Sequence, residues 1–372
     1  MPVFNHNESA TAYIHSIVYI RLMSKNIIMK KLLFLFFILF SSQTVMYSQS
    51  STELLVLDNY LIKNNKRGVK VGKFNIPAGE KISLVKDEAN LFVLSEDGHL
   101  LIKKNATITK STPWRFEITV KTKDGEKTFE LVRDDFIRNK VIAHRGAWKN
   151  HDASQNSLKS LKKAIEIGCE GSEFDVWLSS DNKVILSHDP EIGGKKVEET
   201  TADELFKIEL KDGDKLPSLE EYIKCIKEQN KTRLVLEVKA SQKGKERCEA
   251  VADSAVRIVH RMNAQAWTDY ITFSFDAAKR IRELDPTAKI LYLEADKTLE
   301  ELKAERMSGI DYHYSNFIKD TDLAKKAKSI GLLTNAWTVN KVEDMQTMLD
   351  QNIDYITTDE PEILLEILDA KK

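Results

Sequence analysis

Cysteine is scarce in this 372-residue chain, which holds only Cys169, Cys225 and Cys248. An odd count with no CxxC spacing excludes a disulfide framework and argues against a zinc site, leaving buried free thiols. Excess charge is missing as well. Against 57 acidic residues stand 56 basic ones, a formal net charge of -1. That balance offers no basic footprint for nucleic acid and no pull toward an anionic membrane surface. Long apolar runs are also lacking. The run at 32–40 falls far short of the about 20 residues that a membrane-spanning helix needs.

That short run has its own meaning. It follows Met29, Lys30 and Lys31 and precedes a small, polar stretch, the three-part pattern of a secretory signal over 29–49. Cleavage is expected near Ser48 or Gln49. No cysteine follows the run, so neither a lipid anchor nor a stable membrane anchor is expected. Residues 1–28 precede the signal and read as an upstream extension ahead of a start at Met29. The expected location is secreted or periplasmic.

A 42% hydrophobic and 30% charged composition suits a soluble protein with a real core. The length suits two domains. Residues 51–135 read as short strands at 53–57, 81–85, 91–94 and 116–120. Turn signals separate them at Pro77-Ala78-Gly79, Glu96-Asp97-Gly98 and Lys123-Asp124-Gly125. Phe116, Ile118 and Val120 alternate with Glu117 and Thr119, so one face is expected buried and the other wet. This predicts a small all-β sandwich.

From 138 to 372 apolar runs alternate with amphipathic helices. Strands are expected at 141–145, 171–178, 233–239, 270–275, 289–294, 309–314, 332–339 and 354–358. Helices are expected near 156–167, 218–229, 245–262, 276–284, 298–305, 320–330, 341–351 and 361–370. Eight such units predict an α/β fold, a closed (β/α)8 TIM barrel. An open doubly wound sheet is the alternative, but nothing like GxGxxG follows the first strand.

Polar groups gather at the strand ends. Glu173 and Asp175 are two apart, so both face one side of their strand. Glu237 and Lys239 repeat the arrangement on the third strand. Inward carboxylates are costly unless they are paired or bind a cation. With no HExxH pattern, the three acids suit a hard divalent ion held by oxygen. A salt-bridge cluster with Lys239 is the other reading. His144 and His188, at strand ends beside these acids, suggest an acid/base pair for phosphoryl chemistry. Arg145 and Lys239 suit the anionic phosphate.

The segments AHRGAW, QNSLKSLKKAIEIG, EFDVWLSSDNKVILSHD and LEVK, followed by AWTVN and ITTDEP, resemble the glycerophosphodiester phosphodiesterases. The likeness runs over 138–372. It implies a (β/α)8 barrel with one divalent metal (calcium, magnesium or manganese) that hydrolyses glycerophosphodiesters to sn-glycerol 3-phosphate and an alcohol. By that likeness His144 and His188 are the acid/base histidines and Arg145 binds phosphate. Glu173, Asp175 and Glu237 are the metal ligands, and Lys239 and Asn156 bind substrate. Gln155 stands where the family pattern has Glu before that asparagine, which removes a charge. Trp337 and Phe275, placed at strand ends, are either a wall for the alcohol or plain barrel packing.

The stretch 92–131 more loosely resembles a cadherin-like or immunoglobulin-like module of unknown partner, without a clustered acidic calcium motif. The polar segment 191–232 is expected either as a lip over the pocket or as an ordinary loop and helix. Two other functions fit less of the sequence. One is a phosphodiesterase acting on lysophospholipids or other lipid phosphodiesters. The other is a non-enzymatic surface protein on a degenerate barrel.

Overall fold

The computed structural model describes residues 55–63, 67–76 and 80–371. The upstream extension, the signal segment 29–49, Glu53, Leu54 and the turn at 77–79 lie outside the described residues.

Seven short strands come first: Leu61–Ile62 (β1), Lys70–Lys73 (β2), Ser83–Asp87 (β3), Phe92–Leu94 (β4), His99–Ile102 (β5), Arg115–Thr122 (β6) and Gly125–Arg133 (β7). They make a four-stranded sheet in the order β1-β7-β6-β3 and a three-stranded sheet in the order β2-β5-β4. The Asp97-Gly98 step reverses the chain between β4 and β5, with Gly98 at φ +84°. Asp124-Gly125 does the same between β6 and β7. Phe116, Ile118 and Val120 are buried and Glu117 is exposed, as their alternation requires. Thr119 is buried too, against expectation, and pairs with the Thr128 hydroxyl across the hairpin at 3.1 Å. No strand forms at 55–57; Leu57 makes only an isolated bridge to Phe74. Edge-to-face ring pairs, Phe74 with Phe129 and Phe92 with Phe116, join the two sheets at 5.1 and 5.8 Å.

The chain continues through Val141–Ala143 (β8), Gly171–Leu178 (β9), Val184–Leu186 (β10), Glu191–Ile192 (β11), Lys195–Lys196 (β12), Arg233–Val238 (β13), Thr268–Thr272 (β14), Ile290–Tyr292 (β15), Gly309–His313 (β16), Leu333–Trp337 (β17) and Tyr355–Thr358 (β18). Of these, β8, β9 and β13 to β18 are parallel, and β8 pairs with both β18 and β9. That double pairing closes an eight-stranded barrel and rules out the open sheet. Strand β10 adds antiparallel to β9. The β11–β12 ribbon follows it.

Local chemistry sets the boundaries. Capping boxes of Ser157 with Ser160, Ser218 with Glu221 and Thr298 with Glu301 start the helices Leu158–Glu166, Leu219–Ile226 and Leu299–Ala304. The first barrel strand stops at Ala143 rather than 145, because Arg145 and Gly146 take φ values of 57° and 80°. Those left-handed angles do not continue a strand. The fourth stops at Thr272 rather than 275, because Ser274 caps the helix Phe275–Leu284 by accepting from Ala277 N. The helix expected near 320–330 forms as Leu323–Ser329, and a further short helix, Tyr314–Lys319, precedes it.

The strands before the barrel dock at its N-terminal end. Trp114 packs edge-on to Trp267, which precedes β14, at 6.3 Å. Lys227, ahead of β13, pairs with Glu130 of β7 at 2.9 Å, and Asn230 donates to the Arg133 carbonyl at 3.0 Å. One continuous apolar core runs from Phe116 and Phe129 to Trp267 and Tyr270.

The barrel interior also holds an unusual carboxyl. Asp311, on β16, is 1% exposed and has one oxygen without a hydrogen-bond partner. Burial pushes it up from 3.8 to about 7, against the hydrogen bond from Asn335. A carboxyl raised in the folded state favours folding below its unfolded pKa, and that advantage is lost as pH climbs from about 4 through about 7. The gap corresponds to about 4 kcal/mol. Asp311→Asn is therefore expected to raise Tm at pH 8 and to change it little at pH 4. Equal shifts at both pH values in calorimetric melts would sink this account.

Candidate active site

The charged groups converge at the C-terminal mouth of the barrel, where the strands hand over to loops. Glu173 and Asp175 project inward from β9, and Glu237 lies beside Asp175 in the β9–β13 register. A carboxylate oxygen from each of the three lies within 4.8 Å of the others, and all three residues are buried. Lys239, one residue past β13, contacts Glu237 Oε1 at 2.8 Å and Asp175 Oδ1 at 3.2 Å. Glu173 is left outside that ion pair: its Oε2 accepts from Arg145 N at 2.8 Å, and its buried Oε1 has no partner.

One ammonium among three buried carboxylates leaves the cluster short of positive charge. Burial first, then Asp175 and Glu237, push the Glu173 carboxyl well above its usual range. Burial and Asp175 push Glu237 up to about 8. Asp175 goes the other way: against burial, Lys239, His188 and the Asn156 amide hold it below its usual value. Asn156 donates to Asp175 Oδ2 at 3.0 Å. A donor set of hard oxygens with one orphaned lone pair fits a divalent cation. The salt-bridge reading accounts for Asp175 and Glu237 and leaves Glu173 unexplained.

The histidines flank this cluster. Their ring centroids are 6.4 Å apart. His144 follows β8 directly; its Nδ1 bonds Asp359 Oδ1 at 2.7 Å, and its Nε2 lies 4.0 Å from Glu173 Oε2. Against burial, His144 holds the Asp359 carboxyl below its usual range, so Asp359 is an acceptor and His144 Nδ1 carries the proton. Asn340 donates to the other Asp359 oxygen at 2.8 Å. His188 sits two residues beyond β10, and its Nδ1 bonds Asp189 Oδ1 at 2.7 Å. Burial depresses the His188 pKa, with Lys239 and Arg145 adding to the effect and Asp175 opposing it. In both histidines a carboxylate takes Nδ1 and leaves Nε2 for chemistry.

Arg145 turns on its left-handed backbone to reach the same space. Its Nη1 donates to Gln155 Oε1 at 2.7 Å, while its buried Nε has no partner. The next residue has to be glycine, since a Cβ on Gly146 would stand 2.4 Å from Ser160 Oγ.

Of the ten expected site residues, nine stand at this mouth: His144, Arg145, Asn156, Glu173, Asp175, His188, Glu237, Lys239 and Trp337. Trp337, on β17, has Phe273 and His313 edge-on to it at 5.5 and 5.3 Å. Phe275 is the exception. It opens a helix and packs on Tyr292 at 5.2 Å, away from Trp337. Phe273, two residues earlier, takes the expected place. Sequence reasoning also passed over Asp359, Asn340 and His313. Asp359 carried a signal, since it lies in the ITTDEP segment at the end of the last strand.

Residues 144–363 match the model of the glycerophosphoryl diester phosphodiesterase family. A curated relative, a glycerophosphodiester phosphodiesterase from Caldanaerobacter subterraneus subsp. tengcongensis, is 28% identical over 246 residues, 62% of this chain and 98% of the relative. The crystal structure of a glycerophosphodiester phosphodiesterase from Parabacteroides distasonis shares 41% identity at a TM-score of 0.61, covering 63% of this chain and 99% of that one. A phosphodiesterase from Oleispira antarctica, solved with its product sn-glycerol 3-phosphate, shares the fold: TM-score 0.56, 24% identity, 62% of this chain and 96% of that one. Strands β1 to β7 lie outside the family match.

Proposed function

Because the chain belongs to the glycerophosphoryl diester phosphodiesterase family, we propose that it hydrolyses glycerophosphodiesters to sn-glycerol 3-phosphate and an alcohol by two-histidine acid–base catalysis. The observation that carries this reading is the pair of histidines with free Nε2 atoms beside a three-carboxylate cluster. Glu173, Asp175 and Glu237 would hold one divalent cation, calcium, magnesium or manganese. Bound there, it supplies positive charge to a phosphodiester.

The chain's own residues do the rest. Arg145 and Lys239 bind the phosphate oxygens, the arginine through the Nε that no protein group occupies. His188, whose depressed pKa keeps it neutral near pH 7, takes the proton from the attacking oxygen. As that oxygen bonds to phosphorus, the bond from phosphorus to the alcohol oxygen breaks. His144, protonated on both nitrogens, gives its Nε2 proton to the departing oxygen and keeps its Nδ1 proton hydrogen-bonded to Asp359. Phe273, His313 and Trp337 wall the uncharged side of the mouth.

Soluble glycerophosphodiesters suit the rim better than bilayer lipids. Among the described residues, the large apolar side chains exposed on the helices after β16 and β17 are Ile318 and Val342. Two side chains fall short of the apolar patch of roughly a few hundred Å² that marks a lipid-facing surface.

The test is glycerol 3-phosphate release from a panel of glycerophosphodiesters by chelator-stripped protein, with each cation added back. Cation-dependent release is the expected result. No release with any pair overturns the reading.

Two further elements belong to it. The strand orders β3-β6-β7 and β2-β5-β4 correspond to C-F-G and B-E-D of an immunoglobulin-like sandwich, which supports that fold for the accessory strands. The signal pattern at 29–49 supports export, with the enzyme outside the cytoplasm. Mass spectrometry of the mature N-terminus is expected to find it near Gln49.

A further inference from the structure

The excursion at 189–217 between β10 and β13 reaches the loop that carries Gln155, the partner of Arg145. Its interior is a small apolar cluster of Val197, Ala202, Leu205 and Leu216 built on Trp177 and Ile185. From that cluster a tight hairpin projects, closed by the Glu209–Lys215 bridge and by Leu210 N donating to Asp214 O at 2.7 Å. Asp212 is at its tip. Its carboxylate grips Ser154 twice: Ser154 N donates to Oδ2 at 2.7 Å, and Ser154 Oγ donates to Oδ1 at 2.8 Å. Asp212 N lies 3.2 Å from the same hydroxyl.

Ser154 is the neighbour of Gln155, and Gln155 Oε1 accepts the Arg145 Nη1 hydrogen bond. No other side-chain bond of the guanidinium is found among the described residues, and its Nε is buried and bare. An arginine is useful for phosphate only if its planar fork is aimed, since its long side chain otherwise loses rotamer freedom on binding. The backbone under it is already fixed, with Ser160 Oγ and Asn156 N both donating to Arg145 O at 3.1 Å. The head of the side chain depends on Gln155.

We propose that Asp212 and Gln155 are positioning residues: the hairpin tip anchors Ser154, and Gln155 thereby holds the Arg145 guanidinium aimed at the substrate phosphate. The inference rests on the phosphodiesterase reading, because it assigns Arg145 to phosphate. It gives the 189–217 excursion a task other than that of a lip over the pocket. Gln155 serves this task as a neutral acceptor, so the arginine is oriented without being paired to an anion.

The test uses the full protein and two readouts. In steady-state hydrolysis of glycerophosphocholine, Asp212→Ala is expected to raise KM about tenfold with kcat changed less than about threefold. In calorimetric titrations with glycerol 3-phosphate and with inorganic phosphate, the same variant is expected to lose about tenfold in affinity. Asp212→Asn keeps an acceptor for Ser154 N and a donor for its hydroxyl but loses the acceptor for Asp214 N, and it is expected to recover most of the lost affinity. Gln155→Ala matches Asp212→Ala, and the double variant is no worse than either.

Wild-type affinity in Asp212→Ala, failure of the asparagine to rescue, or additive losses in the double variant overturn the proposal. So does a loss confined to kcat. Titration needs no turnover, so a wild-type protein that binds phosphate but releases no glycerol 3-phosphate overturns the reaction reading alone. A wild-type protein that does neither overturns both.

Discussion

His144→Ala is expected to lower kcat for glycerophosphodiester hydrolysis by about 10²–10⁴-fold and to leave cation binding nearly unchanged. The two effects separate because His144 Nε2 lies 4.0 Å from Glu173 Oε2, beside the carboxylate cluster rather than within it. The companion change, Asp359→Asn, tests how the ring is held. Asp359 accepts the Nδ1 proton at 2.7 Å and is itself braced by Asn340. An amide there offers a donor to a donor and favours the wrong tautomer, so kcat is expected to fall by about 10²-fold or more with KM little changed. His188→Ala belongs to the same series, and its expected loss is also about 10²-fold or more. Near-wild-type kcat in the His144 or His188 variant removes that histidine from the mechanism. Unchanged kcat in Asp359→Asn shows that the contact is structural.

Glu237→Gln is expected to weaken divalent-cation binding by about 100-fold or more and to abolish activity at limiting cation. The pH dependence sharpens this expectation. Without a cation, Glu237 is pushed up to about 8 and Glu173 is also raised, so protons occupy the cluster at pH 7. Binding a cation displaces them, and apparent affinity climbs with pH until about 8. The sign for stability follows from the same shifts. Carboxyls raised in the fold cost stability progressively as pH rises from about 4 through about 8, and a bound cation restores it. Calorimetry at pH 7 in two buffers of different ionisation enthalpy counts the released protons. The wild type is expected to release about one more than Glu237→Gln. Cation binding with no proton release sinks this assignment.

The residues legible in the sequence were those whose position is costly without a purpose. Glu173, Asp175 and Glu237 stand on strands whose buried residues are mostly apolar, and period-two alternation alone puts them on the barrel's inner face. The eight strand–helix units were legible for the same reason: local pattern and capping agree.

What escaped was set by boundaries or by distant pairing. Phe275 was misplaced by a strand end three residues off, although Ser274 with Asp276 behind it is a helix-start signature. Asp359 meets His144, and Asn340 meets Asp359, across gaps in the chain that no window spans. Gln155 looked like a lost charge, and its bond to Arg145 became visible only when the loop was folded. The docking of β7 against the loop before β13 was equally unreadable, because each side alone looks like an ordinary surface.

That docking fixes a direction. The accessory strands cover the end of the barrel where Trp267 and Lys227 lie, and the histidines open at the other end. Anything that binds the outer faces of those strands is therefore held at the end of the barrel away from the histidines. The mouth that carries the histidines is left clear of the accessory strands, so a substrate has free access to it.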